Sequence, residues 1–372
     1  MKKVIAVVVC MAVLVSAACS SEACTSFIIK AEDSSPVYGR TLEWGLFDAK
    51  SELVFVPRGL TFTSLLPGGK NGISWENKYG YVAVNILSKP YYLDGMNETG
   101  LTAGSLFFPG FAGYQLLTDG EEPSAVNNMD LIAYILGQFG TVDEIKTSLP
   151  KTRVVYNKDI SKEINSPMPL HYVVTEASGA SIVIEYVDGK LNIYDNKVGL
   201  LTNDPTYDWH ILNLRNYTQL SPLAPGPGSL KVEGVNYTPF GAGSGMMGFP
   251  GDDSPTSRFV RAFFYTKTSL PMKDADAAIN QASRILDNFD IPKGFVREGI
   301  SGKYNSSRTQ WSVIGDMKNK RYYWWTEWNR RLRLVDLTKI DFTRGEIKSV
   351  PLDEVREESV EDRTDTFQRV NI

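Results

Sequence analysis

The feature that most restricts the fold is the order in which two kinds of hydrophobic pattern follow one another. Residues 25–30, 37–44 and 53–56 are rich in β-branched and aromatic side chains, and the turn formers Asp33-Ser34-Ser35-Pro36 separate the first two runs. Helical spacing then takes over at 129–139 and again after Thr141, where Glu144 stands three residues on in a capping-box pattern. Strand patterns return at 172–175, 181–187 and 191–194. They are joined by Ser178-Gly179 and Asp188-Gly189, the latter a strong hairpin signal. Helices are predicted near 258–266 and over 274–289, the second with Ala275, Ala278, Ile279, Ala282, Ile285, Leu286 and Phe289 on one face. Strands close the chain at 310–314, 321–328 and 332–337. Blocks of strands alternating with blocks of helices predict sheets layered on one another and covered by helices, an α+β arrangement rather than alternating βαβ units. No composition break divides 24–372, which reads as one domain.

The first residues read differently. Lys2 and Lys3 precede an apolar run over 4–15, and Ser21 and Ala23 then occupy the −3 and −1 positions of a small-x-small cleavage site. The run is shorter than the ~20 apolar residues a spanning helix needs. We therefore expect a secretory signal peptide over 1–23 and an exported, periplasmic protein with no stable membrane insertion. The competing reading is a lipid anchor on Cys19, where Ser16-Ala-Ala-Cys19 loosely resembles a lipoprotein box. Cleavage after Ala23 would remove Cys10 and Cys19, leaving Cys24 as both first residue and sole thiol. Exported chains normally use cysteines in pairs. The plain alternative for Cys24 is a small buried apolar residue.

Several chemistries find no support. Net charge is −4 with both signs mixed throughout, so no basic stripe points to nucleic acid. There are two histidines, His171 and His210, in settings that are more often structural than catalytic, and no His/Cys spacing suits zinc. Gly243-Ser-Gly-Met-Met-Gly248 matches a dinucleotide pattern by letter but lacks the strand before it and the helix after it, so it reads as a loop needing unusual backbone angles. What remains is Cys24. A thiol needs a base, and an α-amine with a pKa near ~8 can accept its proton. Nucleophile and base then belong to one residue, provided that residue is the first.

The motifs Cys24-Thr-Ser-Phe, Gly39-Arg-Thr-Leu-Glu-Trp44, Gly95-Met-Asn-Glu-Thr-Gly100, Leu201-Thr-Asn-Asp-Pro-Thr-Tyr-Asp-Trp209, Gly248-Phe-Pro-Gly-Asp252, Ser257-Arg-Phe-Val-Arg261 and Thr309-Gln-Trp-Ser312 together resemble the choloylglycine hydrolase family of N-terminal-nucleophile hydrolases. The resemblance implies a four-layer αββα fold with two stacked, mainly antiparallel sheets. It also implies an acyl-thioester intermediate, hydrolysis of small N-acyl amides of the penicillin V or bile salt type, and no metal or cofactor. Cys24 matches the nucleophile, Arg40 the arginine beside it whose charge would favour the thiolate, and Glu43 a carboxylate that holds the free amine. In an ideal strand Arg40 and Glu43 point to opposite faces, so that last role asks for a bend or bulge between them. The alternative for Glu43 is a surface carboxylate. Asn203 matches a side-chain oxyanion donor, with a turn asparagine as its alternative. Arg258 matches a second active-site arginine, otherwise a solvated helix residue. Phe107, in Ser105-Leu-Phe-Phe108, falls where the family uses a backbone N–H as second oxyanion donor. Its ring would favour an aromatic or aliphatic acyl group, unless it points into the core. The long Pro- and Gly-rich segment 216–247 matches one that grips a neighbouring subunit, which suggests a homotetramer, or else a dimer. Acyl-homoserine lactone cleavage is a further possibility for the same machinery. A non-catalytic, lipid-anchored binding protein is the reading from another class.

Overall fold

The computed structural model describes residues 23–226, 228, 230–300, 303–343, 345–357 and 360–367. The expected signal peptide, Cys10 and Cys19 lie outside the described residues, Ala23 apart. Two large sheets dominate, one of six strands and one of eight, antiparallel throughout. In the six-stranded sheet, β1 (Cys24–Lys30) and β2 (Pro36–Glu43) lie between the two-residue strand Leu200–Leu201 and the C-terminal strands Thr309–Asp316, Arg321–Thr326 and Arg333–Asp336. Strands from the two ends of the described region thus share this sheet, with β1 and β2 inside, while the later strand Lys348–Pro351 pairs at the edge of the eight-stranded sheet.

The helices Pro255–Thr268 and Ala275–Asp287 pack on the six-stranded sheet, and Leu131–Gln138 packs on the eight-stranded one. The first two open on local caps. Ser254 caps the first of them with Pro255 at its opening turn, and Asp274 caps the second. All seven apolar residues expected on the face of the second helix are buried. The capping box at Thr141 and Glu144 also forms, opening the helix Val142–Ser148.

The middle of the eight-stranded sheet carries no clear strand signal in the sequence. Tyr81–Ile86 and Thr102–Phe107 are buried at every residue, and Lys89–Asn97 joins them. A strand covered on both faces loses the alternation that marks a half-exposed one. The glycine pattern at 243–248 is a loop, as expected, with Gly243 and Gly248 at φ of 88° and 87° around a short turn. The segment 216–247 also holds an exposed hairpin, Leu230–Val232 with Val235–Tyr237, turned through Glu233-Gly234.

One polar cluster ties the two sheets together. Asp94, on the eight-stranded sheet, accepts hydrogen bonds from the phenols of Tyr38 (2.7 Å) and Tyr322 (2.7 Å) and pairs with Arg40 at 3.1 Å. Arg40 also donates to the carbonyls of Leu93 and Ser105, and its guanidinium lies 5.2 Å from the Trp311 ring centre. Neither member of the ion pair is accessible to solvent. Removing one partner of such a pair strands the other charge in the interior. We expect Asp94→Ala to lower unfolding stability by about 3–5 kcal/mol in urea titrations, whereas an equally buried apolar truncation without a charged partner should follow its cavity size alone.

Candidate active site

Strand register builds the site. β1 pairs with Leu200–Leu201 so that Ser26 faces Leu201. Two residues further along this antiparallel ladder, Asn203 comes opposite Cys24, and the Asn203 Oδ1 accepts the Cys24 N–H at 2.7 Å. On the other side Cys24 faces Leu42 of β2. The next pair is Ala23 with Glu43, whose backbone N–H donates to the Ala23 carbonyl at 3.0 Å. The Ala23–Cys24 peptide bond is therefore held on both sides, its carbonyl by the β2 backbone and its N–H by the Asn203 side chain just past the strand Leu200–Leu201.

Arg258 closes the cluster from the helix Pro255–Thr268. It donates to the Cys24 carbonyl, to Thr25 Oγ1 at 2.8 Å and to Asn203 Oδ1 at 2.6 Å. The two groups facing Asn203 Oδ1 are donors, which fixes the orientation of the amide. The Asn203 Nδ2 donates to the Phe107 carbonyl at 2.7 Å, leaving its second N–H for another acceptor. His210 holds the Asn203 carbonyl through Nε2 at 3.0 Å; burial pushes its pKa down to about 4, so the ring is neutral. His171 is likewise buried, between Glu185 and the Thr202 carbonyl. Among the described residues no group of three or more His, Cys, Asp or Glu side chains could hold a metal ion.

Cys24, Arg40, Glu43, Asn203, Arg258 and Phe107 thus lie in one buried neighbourhood, and one expectation needs correction. The bend or bulge asked for between Arg40 and Glu43 is absent from β2, which keeps unbroken register with β1. Arg40 turns toward the eight-stranded sheet, while Glu43 turns the other way and feels the charge of Arg258. No bend is needed because Cys24 stands at the strand's end, within reach of both charges. The irregularity sits in the partner strand instead, where Thr309 faces Glu43, Trp311 faces Leu42, and Gln310 is the extra residue. Glu43 and Arg258 are fully buried, which sets aside the alternatives of a surface carboxylate and a solvated helix residue. Arg40 lowers the Cys24 pKa as its charge implies, but burial raises it by more; Glu43 adds to the rise and Arg258 opposes it.

Phe107 is buried, with its ring edge-on to Trp44 at 5.7 Å, and Trp44 in turn meets Phe47 at 5.5 Å. Sequence reasoning missed Thr309, which donates to Glu43 Oε1 at 2.9 Å, and Asp94 behind Arg40. Their only sequence signal was membership of recognisable motifs for Thr309; Asp94 had none.

Residues 24–350 match the family described as linear amide C–N hydrolases, choloylglycine hydrolase family. The chain belongs to this family. It is a linear amide C–N hydrolase of the bile salt hydrolase and penicillin V acylase type. A bile salt hydrolase/transferase of Lactiplantibacillus plantarum is 37% identical over 272 residues, spanning 73% of this chain and 81% of that one. The solved structure of a variant of Clostridium perfringens conjugated bile acid hydrolase superposes with a TM-score of 0.77 at 26% identity, covering 91% of this chain and 99% of that one. Penicillin V acylase from Agrobacterium tumefaciens gives 0.71 at 26% identity, covering 88% and 92%. The α+β architecture of two antiparallel sheets agrees with these neighbours.

Glu43 offers a test within this hydrolase. Burial pushes its pKa from 4.5 up to about 8, against the opposing pull of Arg258, and its Oε2 has no hydrogen-bond partner. Between these values the folded chain retains a proton that the unfolded chain has lost, so stability falls as pH rises. In a chain that retains Ala23, Glu43→Gln should flatten the decline seen between pH 5 and 8 in urea unfolding. An unchanged slope would mean that Glu43 is ionised throughout.

Proposed function

We propose that this hydrolase is an exported, periplasmic enzyme whose signal peptide, 1–23, is removed to leave a single hydrolase domain, 24–372, with Cys24 as its first residue. Cys24 Sγ then attacks the carbonyl carbon of a linear amide. Its proton passes through the freed α-amine of Cys24 to the leaving amine, the C–N bond breaks and an acyl-thioester remains. Water activated by the same amine releases the carboxylate and restores the thiol. The observation that carries this reading is the placement of the Cys24 nitrogen, 2.7 Å from Asn203 Oδ1 and one cross-strand pair from Glu43. Glu43 Oε2, buried and without a partner, is suited to an ammonium formed there. Arg40 and Arg258 favour the thiolate, and the remaining Asn203 N–H with the Phe107 backbone N–H would receive the oxyanion.

Trp44, Phe47 and Phe107 favour an apolar acyl group. Both phenoxyacyl and bile acid amides meet that description, and acyl-homoserine lactone cleavage would use the same steps. While Cys24 stays joined to Ala23 its nitrogen is an amide and cannot serve as base. Protein exported and sequenced from its N-terminus should begin at Cys24 and hydrolyse phenoxymethylpenicillin or glycine-conjugated cholate. Cys24→Ala should be inactive, and a chain retaining Ala23 should lose at least ~100-fold in kcat. Full activity with Ala23 retained would show that the α-amine is not the base, whereas a lipidated start at Cys19 with no hydrolysis would favour the binding-protein reading.

The homotetramer belongs to the same proposal. It is supported by exposed apolar side chains along the hairpin arm, including Leu230, Val235, Tyr237 and Phe240. Val235→Arg with Tyr237→Arg should reduce the mass seen in light scattering; an unchanged mass would place the contact elsewhere.

A further inference from the structure

The bulge at Gln310 has a consequence for the loop 44–50 that follows Glu43. In a regular strand Thr309, Gln310 and Trp311 would alternate between two faces. With one extra residue, three consecutive side chains reach three different parts of the site. Thr309 bonds Glu43, Trp311 stacks near Arg40, and Gln310 turns to the loop. Its amide is buried and fully used there. Nε2 donates to the carbonyls of Trp44 (3.0 Å) and Phe47 (2.8 Å), and Oε1 accepts the Ala49 N–H at 2.8 Å. The loop is not a strand or helix, so these backbone groups have no ladder to satisfy them. The same loop presents Trp44 and Phe47, which continue the aromatic wall begun by Phe107.

We infer that Gln310 is a positioning residue for acyl-group recognition: it latches the loop 44–50 and so sets the shape of the aromatic wall beside Cys24. This rests on the hydrolase reading above. Gln310 touches none of the groups assigned to the chemical step, so its effect falls on binding of the acyl group and not on the nucleophile. Behind the loop lies a cavity of about 240 Å³, lined among others by Asp48, Gln310, Trp311 and Arg356. The loop backbone has room to retreat into it when the latch is cut. A second, outer tie joins Arg356 to Asp48, beyond the stretch that matches the family, but it is partly solvated and correspondingly weak.

Gln310→Met keeps the length of the side chain and removes all three bonds. Gln310→Glu keeps the acceptor and loses both donors, and it serves if the first variant does not fold. Three measurements separate the outcomes: hydrogen exchange of amides 45–50, kcat and KM for phenoxymethylpenicillin, and the rate of Cys24 alkylation by iodoacetamide. Exchange should rise roughly 10- to 100-fold and KM by a similar factor, equivalent to one or two lost buried hydrogen bonds. Unchanged kcat and unchanged alkylation should accompany this, and Arg356→Ala should match wild type in all three. Unchanged exchange would overturn the latch. A fall in kcat and alkylation together with the rise in KM would reduce Gln310 to a general structural residue. If wild type cleaves no amide at all, the hydrolase mechanism fails, and the exchange data still decide whether the latch exists.

Discussion

The antiparallel register of β1 between its two neighbours is the constraint on which the site depends. One ladder carries Asn203 to the Cys24 nitrogen, and the other carries Glu43 to the Ala23 carbonyl. These residues are far apart in the chain and meet because hydrogen-bond pairing counts residue by residue. A one-residue slip would exchange the faces of β1 and move Cys24 away from Arg40. Pairing to both sides also makes β1 an interior strand. Strand pairing therefore sets where Cys24 sits, and the Asn203 side chain completes the hold on its nitrogen.

Charge burial shapes what that geometry can do. Arg40, Glu43, Asp94 and Arg258 are all inaccessible, and each is held by a different set of partners. Burial pushes the Arg40 pKa down, yet Asp94, with Cys24 and Tyr38 contributing, more than offsets it. Arg258 is less well compensated: burial lowers its pKa against the pull of Glu43 and Cys24. Glu43 has one oxygen bonded to Thr309 and one left over. Such an arrangement costs stability on its own account, and it is the kind of strain expected where a site is made for chemistry instead of packing.

Much of the layout was readable because it rests on local physics. The helix over 274–289 shows its buried face in its spacing, Thr141 with Glu144 shows its cap, and Asp188-Gly189 shows its hairpin. The motif set around Cys24, Arg40, Asn203 and Arg258 was legible as a family pattern, and the structure gathers those residues together. Where patterning vanished, reading failed. The strands Tyr81–Ile86 and Thr102–Phe107 are buried on both sides, and a doubly covered strand has no exposed polar face to announce it. Asp94 stands in that silent region, so the counter-ion of Arg40 was invisible with it.

The sequence by itself determined the capped and amphipathic helices, the hairpins and the motif set that marks the family, since these depend on residue identity and short spacing. Only the tertiary structure decided that Glu43 is buried, that the irregularity lies at Gln310 and not within β2, and that burial outweighs Arg40 in its effect on the Cys24 thiol. The reason is common to all three. Burial, bulge placement and pKa are set by what packs against a residue from elsewhere in the chain, and a linear sequence states the residue without stating its neighbours.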